Sequence, residues 1–162
     1  MVIEIERKFL LRTFPPQAAL VSLGVEALEI EQCYLKVAAG VEERIRATSS
    51  VSGTEYVHTF LTARRAGVRE IQERSITRAE YEGLRKSADQ ARNPVLKRRW
   101  KFPFEGHLLE LDDIRAPRSR ACLLLEVQIA DEHEEVILPA FLDLEREVTG
   151  ERDYSNADIS QG

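Results

Sequence analysis

The chain has 162 residues, 43% of them hydrophobic and 31% charged, with a formal net charge of −5. That length suits one core, and that balance excludes a disordered chain. The acidic total argues against general nucleic-acid binding while allowing a local basic cavity; no apolar run approaches the ~20 residues of a membrane span, and no secretory leader pattern opens the chain, so a cytoplasmic setting is expected.

In chain order the sequence reads mostly as strands: 2–11, 28–38, 41–49, 54–63, 67–76, 93–104, 106–115 and 121–131, each of strand length with mixed or alternating polarity. Gly40, Gly53 and Gly106 fall between successive segments, where hairpin turns belong. The pattern is a meander of about eight antiparallel strands. Three stretches read as helical: Pro15 to Leu23, Thr77 to about Ala88, and Glu134 to Leu142. The second opens on Thr77-Arg78-Ala79-Glu80, a capping-box signature, whereas Pro139 limits the third to little more than a turn. Nothing divides the chain, so residues 1–157 are expected to form one domain and 158–162 a loose tail. Cys33 and Cys122 are too few for a disulfide framework and form no C-x-x-C site, so buried free thiols are expected.

The charged residues carry the chemistry. In Glu4-Ile5-Glu6-Arg7-Lys8 two carboxylates and an ammonium share one face of a strand. Mg²⁺ and Mn²⁺ take oxygen ligands, commonly one or two carboxylates with waters and substrate phosphates, and lysine meets phosphate as a point charge. Taken alone, such alternation also describes a solvated strand face. It recurs, however, in Arg44-Ile45-Arg46, Lys97-Arg98-Arg99, Glu110-Leu111-Asp112 and Glu126-Val127-Gln128, followed by Glu147-Val148-Thr149 and Asp153-Tyr154-Ser155-Asn156. In the segment 123–129, Leu123, Leu125, Val127 and Ile129 form an apolar row opposite Leu124, Glu126 and Gln128. Buried beneath a helix, that row would leave the polar one facing a lumen.

From Val2 to about Ala157 the ordered set resembles the CYTH superfamily, or triphosphate tunnel metalloenzymes, and most of all its short bacterial members that look like inorganic triphosphatases. The resemblance implies a mainly β fold, an eight-stranded antiparallel closed barrel forming a tunnel with helices packed outside. It implies Mg²⁺ or Mn²⁺ held by Glu4, Glu6, Glu126 and Gln128. It also implies a cationic clamp of Lys8, Arg44, Arg46, Arg69, Lys97 and Arg99 on a triphosphate, with Glu73 and Asp112 completing the catalytic set and Glu110 beside Asp112. Glu147, Tyr154 and Asn156 close the pattern. The implied reaction is metal-dependent hydrolysis of a triphosphate, first of all inorganic tripolyphosphate.

Three positions depart from the family pattern. Leu61 falls where a phosphate-binding lysine is usual, with Arg64 nearby; Ile71 replaces an acidic residue whose neighbour Glu70 would face outward; Gln128 replaces the second carboxylate of E-x-E. These departures motivate a rival reading, a non-catalytic tunnel that binds polyphosphate or a nucleoside triphosphate. Thiamine triphosphatase and adenylate cyclase activities are further family alternatives. A nucleic-acid module, suggested only by Lys97-Arg98-Arg99-Trp100-Lys101, is disfavoured because those residues alternate faces. No membrane or nucleic-acid partner is expected, and the oligomeric state is open, a homodimer included. His58, His107 and His133 lack ligand spacing.

Overall fold

Period-two alternation sorts each strand's side chains onto two faces, and in this protein one lines an interior while the other is covered over part of the barrel. A computed structural model describes residues 1–162. Its strands are β1 (Val2–Leu11), β2 (Ala27–Ala38), β3 (Val41–Ser50), β4 (Gly53–Arg65), β5 (Val68–Ile76), β6 (Val95–Phe104), β7 (His107–Ala116), β8 (Cys122–Ile129) and β9 (Leu144–Glu147). All pairings are antiparallel in the order β5-β4-β3-β2-β6-β7-β8-β1, and β5 returns to β1 to close an eight-stranded barrel. Closure removes most of the bare edge that an open sheet would offer another chain.

The closing seam is short. Only Val2–Ile5 of β1 pair with β5, after which Phe9–Leu11 pair with β9. Between the two, the Glu6 amide donates to the Gly67 carbonyl, the Lys8 amide to Thr149 Oγ1, and the Val148 amide to the Lys8 carbonyl. The Glu147-Val148-Thr149 element therefore continues the seam where β5 stops. Gly67 adopts φ +70° and lies so close to β1 that a Cβ would sit 2.6 Å from the Glu6 carbonyl oxygen.

On the outer face of β8, Leu123, Leu125, Val127 and Ile129 join Phe9, Leu11, Trp100, Phe102, Leu109 and Leu111 in the largest apolar cluster. Leu20 of α1 (Gln17–Ser22) and the segment carrying Val136, Leu138, Phe141 and Leu142 cover it. Each fully buried aliphatic or aromatic side chain contributes about 1.5–3 kcal/mol, so this outer layer is a principal source of stability. The predicted apolar row is thus buried outside the barrel. α2 (Arg78–Arg85) begins with the capping box read from sequence: Thr77 Oγ1 accepts from the Glu80 amide while the Glu80 carboxylate accepts from the Thr77 amide.

Some expectations fail. Residues 134–142 form no helix; Pro139 breaks the ladder, and the apolar side chains reach the core from an extended strap instead. β9 and the short α3 (Asn156–Ile159) escaped notice because each spans only four residues. The end of the chain is not a loose tail, since Ile159 and Ser160 are buried. Cys33 is buried as expected, but Cys122 is only partly so. No helix is long and apolar enough to cross a membrane.

Candidate functional site

Inward-facing residues alternate along every strand and divide the barrel interior into two regions. At one end an apolar plug of Leu10, Tyr34, Val95, Ile114, Leu124, Val148, Ala157 and Ile159 fills the lumen. Beyond it lies a charged chamber of about 310 Å³, lined by Glu4, Arg44, Arg46, Arg69, Glu73, Lys97, Arg99, Glu110, Glu126, Gln128 and Asn156 among others. A second chamber of about 300 Å³ adjoins it, sharing Arg44, Arg69 and Asn156 as lining residues, and carries Glu6 and Lys8. The predicted site residues converge on these two adjoining chambers, with Asp112 buried in the wall.

The register explains who meets whom. Lys8 lies across from Glu126 and Glu6 across from Gln128 on the β1–β8 ladder, while Glu110 faces Glu126 on β7–β8. Arg99 faces Asp112 on β6–β7 and donates from Nε at 2.6 Å and from Nη2 at 2.7 Å; its Nη1 lies 2.6 Å from Glu110, and its Nη2 3.5 Å from Glu126. Lys97 Nζ donates to Asp112 at 2.7 Å and to Asn156 Oδ1 at 3.3 Å. Lys8 Nζ lies 3.4 Å from Glu126 and donates to the Tyr154 carbonyl at 3.2 Å. Thus α3 and the turn before it both plug the barrel and hold two lysines.

These pairs shift the groups' proton affinities in opposite directions. Burial alone would raise Asp112, but Arg99 and Lys97 hold its carboxyl below the usual range. Burial is likewise outweighed at Glu126 by Lys8 and Arg99, which hold it well below that range. Glu6 moves the other way, raised by burial and by the charge of Glu126 against the opposing pull of Arg69. Lys97 is lowered chiefly by burial. Arg46 is lowered by burial and by its neighbours Arg44 and Arg99.

Two guanidiniums remain under-partnered. Among carboxylates Arg44 meets only Glu42, at 3.8 Å, with the Tyr34 hydroxyl also beside it, and Arg46 meets only Glu73 at 3.5 Å, itself held by a 2.9 Å hydrogen bond from Thr59. Both arginine Nε atoms are buried without a hydrogen-bond partner. A buried donor left unmet costs about 1–3 kcal/mol, more when charged, so these atoms are poised for an acceptor in the chamber.

Glu4, Glu6, Glu126 and Gln128 offer only hard oxygen donors on adjacent inward rows, a chemistry that fits Mg²⁺ or Mn²⁺. They are not gathered as a ready-made cage of three or more acidic groups. Instead Arg69 engages Glu4 from Nε at 3.1 Å and Nη2 at 3.0 Å, and Glu6 from Nη2 at 3.2 Å.

Other positions fall outside the lumen. Glu147 pairs with Arg7 on the exterior at 2.8 Å and anchors β9 beside β1. Arg64 points outward and pairs with Glu70, so it does not supply the cation missing at Leu61, which lines the second chamber. Ile71 and Gln128 line the main chamber. Arg98 pairs outside with Glu29 and Trp100 lies in the outer cluster, so the basic run 97–101 divides between the two faces. Sequence reading missed Lys101, which lines the main chamber 3.4 Å from Glu110, and Glu55, which lines the same chamber; Lys101 shares the parity of Lys97 and Arg99, the signal that would have found it.

No protein-family model and no curated protein sequence matches the chain. Among solved structures, it is similar to the crystal structure of the inorganic triphosphatase NE1496, with 29% identity and a TM-score of 0.63 over 98% of both chains. A second crystal structure, titled the hypothetical protein NE1496, gives 28% identity and a TM-score of 0.61 over 98% of both chains. The PH1012 protein from Pyrococcus horikoshii OT3 shares the fold, at 19% identity and a TM-score of 0.59 over 80% of this chain and 79% of that one. With the closed barrel and its inward charged rows, these likenesses, two of them to a triphosphatase-type protein over nearly the whole chain, support the resemblance to the CYTH superfamily.

Proposed function

We propose that this protein hydrolyses a triphosphate, inorganic tripolyphosphate first, within the barrel lumen, with Mg²⁺ or Mn²⁺ and in the cytoplasm. The observation that carries the reading is the pair of buried, unmet Nε donors on Arg44 and Arg46 in a chamber whose other cations are largely neutralised by carboxylates. A polyanion supplies the missing acceptors. Arginine forks grip phosphate oxygens bidentately, whereas the fully buried Lys97 and the nearly buried Lys8 contribute as point charges. No aromatic side chain lines the main chamber, which suits a bare phosphate chain better than a nucleoside or thiamine group. The likeness to the inorganic triphosphatase NE1496 supports the same class.

Phosphoryl transfer asks the protein mainly to position the reactants and to balance charge on the phosphoryl oxygens. Arg44 and Arg46 bind and orient the substrate, and Asp112 positions Arg99 and Lys97 on one wall. Glu4, Glu6, Glu126 and Gln128 would hold the divalent ion, whose chemistry when bound is to neutralise phosphoryl charge and lower the pKa of a water. Where Asp112, Lys97, Arg99 and Glu126 lie nearly out of solvent, the lumen wall strengthens these electrostatic contacts relative to bulk water.

A binding-only tunnel is the second reading, favoured by the positions of Leu61, Ile71 and Gln128 on the lumen wall. Phosphate release from tripolyphosphate, pyrophosphate, ATP and thiamine triphosphate, with Mg²⁺, Mn²⁺ or a chelator, tests both. Turnover of tripolyphosphate that the chelator abolishes is expected. Tight tripolyphosphate binding without turnover in either metal would leave the binding-only reading standing.

A further inference from the structure

Arg69 faces Glu4 directly across the β1–β5 seam and forks onto the oxygens of Glu4 and Glu6 at 3.0–3.2 Å. Those are two of the four donors that suit a divalent ion, so the guanidinium and the ion compete for the same oxygens. We infer that Arg69 is an internal counter-cation that occupies the acidic end of the site until a divalent ion displaces it, and that its release hands the guanidinium to the incoming polyanion. The inference rests on the reading of Glu4, Glu6, Glu126 and Gln128 as the ion's donors.

Three features carry it. First, Arg69 lines both chambers, so freeing it from Glu4 and Glu6 leaves its fork inside the lumen. Second, Arg44 lines the same two chambers, is 6% exposed and has an unmet Nε, which marks that part of the lumen as a place for an anion. Third, the carboxylates need a cation at all times. Glu126 has Lys8 and Arg99 beside it, but Glu6, 7% exposed, and its neighbour Glu4 are paired through Arg69, and an unneutralised charge as buried as Glu6 costs several kcal/mol. An arginine that serves in the absence of the ion satisfies them, and a doubly charged ion replaces it with charge to spare for phosphate. Divalent ion and polyanion then bind cooperatively, because each removes a partner that the other leaves uncompensated.

The alternative is that Arg69 merely staples the short seam, and a Mn²⁺ titration without any phosphate compound separates the two. Free Mn²⁺ is followed by electron paramagnetic resonance, and binding heat by calorimetry, in wild type, Arg69→Gln, Arg69→Lys and the double variant Arg69→Gln/Glu4→Gln. Arg69→Gln is expected to bind Mn²⁺ at least tenfold more tightly than wild type, Arg69→Lys to fall between them, and the double variant to lose the gain. Equal or weaker Mn²⁺ binding in folded Arg69→Gln, or a gain that survives Glu4→Gln, would overturn the inference. Should Arg69→Gln not fold by itself, Mn²⁺ is expected to restore a cooperative thermal transition, and failure to do so counts equally against it. Since no phosphate is present, a tenfold gain in a protein that never cleaves tripolyphosphate would sink the proposed activity while sustaining the role of Arg69.

Discussion

Arg99 and Asp112 face one another across the β6–β7 ladder and share a forked pair of hydrogen bonds at 2.6 and 2.7 Å, with Asp112 only 1% exposed. The same carboxylate also accepts from Lys97 at 2.7 Å. One buried anion is therefore shared by two clamp cations, with Glu110 and Glu126 completing the charge balance at Arg99.

Asp112→Asn is expected to destabilise the unliganded protein by about 3–5 kcal/mol, the usual cost of leaving buried charges without their partner. Tripolyphosphate should recover part of the loss by replacing the missing anion. The pH dependence follows the same pairing. Asp112 titrates below its ordinary value in the fold because Arg99 and Lys97 outweigh burial, so on acidification the unfolded chain takes up the proton first, near pH 3.9. Its contribution is fully present above that pH and is lost as the pH falls through the depressed folded value. Urea midpoints measured from pH 6 downward should drop more steeply in wild type than in Asp112→Asn.

Arg44→Ala and Arg46→Ala should weaken tripolyphosphate binding by ~1.5–3 kcal/mol each, with unliganded stability unchanged or raised, because each removes a charged donor that lacks a full partner. Arg99→Ala behaves differently, stranding Asp112, Glu110 and Glu126 and lowering stability sharply. Calorimetry of tripolyphosphate binding together with thermal unfolding distinguishes the two classes; equal destabilisation by all three substitutions would contradict it.

Glu4→Gln and Glu6→Gln should each abolish metal-dependent phosphate release while leaving a folded barrel, since both side chains face the lumen and neither belongs to an apolar cluster. Circular dichroism checks the fold and the coupled phosphate assay checks the turnover. Wild-type rates with the same metal requirement in both variants would remove these residues from the metal set.

Gln128→Glu adds an anionic oxygen across the ladder from Glu6 without lengthening the side chain. Tighter Mg²⁺ or Mn²⁺ binding and faster hydrolysis at limiting metal are expected, read from a metal titration of phosphate release. If affinity and rate are both unmoved, the glutamine is no defect of the metal site, and the case for a binding-only tunnel loses its main support.

Gly67→Ala should cost more than ~1 kcal/mol in urea unfolding, because the backbone sits at φ +70° and the new Cβ would meet the Glu6 carbonyl oxygen at 2.6 Å. Gly53→Ala, also at positive φ but with open space around it, separates backbone strain from steric contact. An equal loss at both positions would mean that the approach to β1 adds nothing.

Much of this protein is written in its alternation. The parity of Glu4, Glu6 and Lys8, of Arg44 and Arg46, and of Lys97 and Arg99 placed those side chains on one face of each strand, and all of them do face the lumen. The outer row Leu123, Leu125, Val127 and Ile129 was equally legible, because a period of two needs no knowledge of neighbours. What sequence could not contain was the partner list. That Asp112 neutralises Arg99, that Asn156 reaches Lys97 from a four-residue helix, and that Arg69 lies between Glu4 and Glu6 all depend on register and on barrel closure. The strap at 134–142 shows the same division: its apolar residues announced burial, but whether they reached the core from a helix or an extended segment was settled by Pro139 and by the surface they had to cover. Local pattern fixes which side chains share a strand face; only the closed sheet decides which face turns inward and which charges share a wall, because those distances are set by strands far apart in the chain.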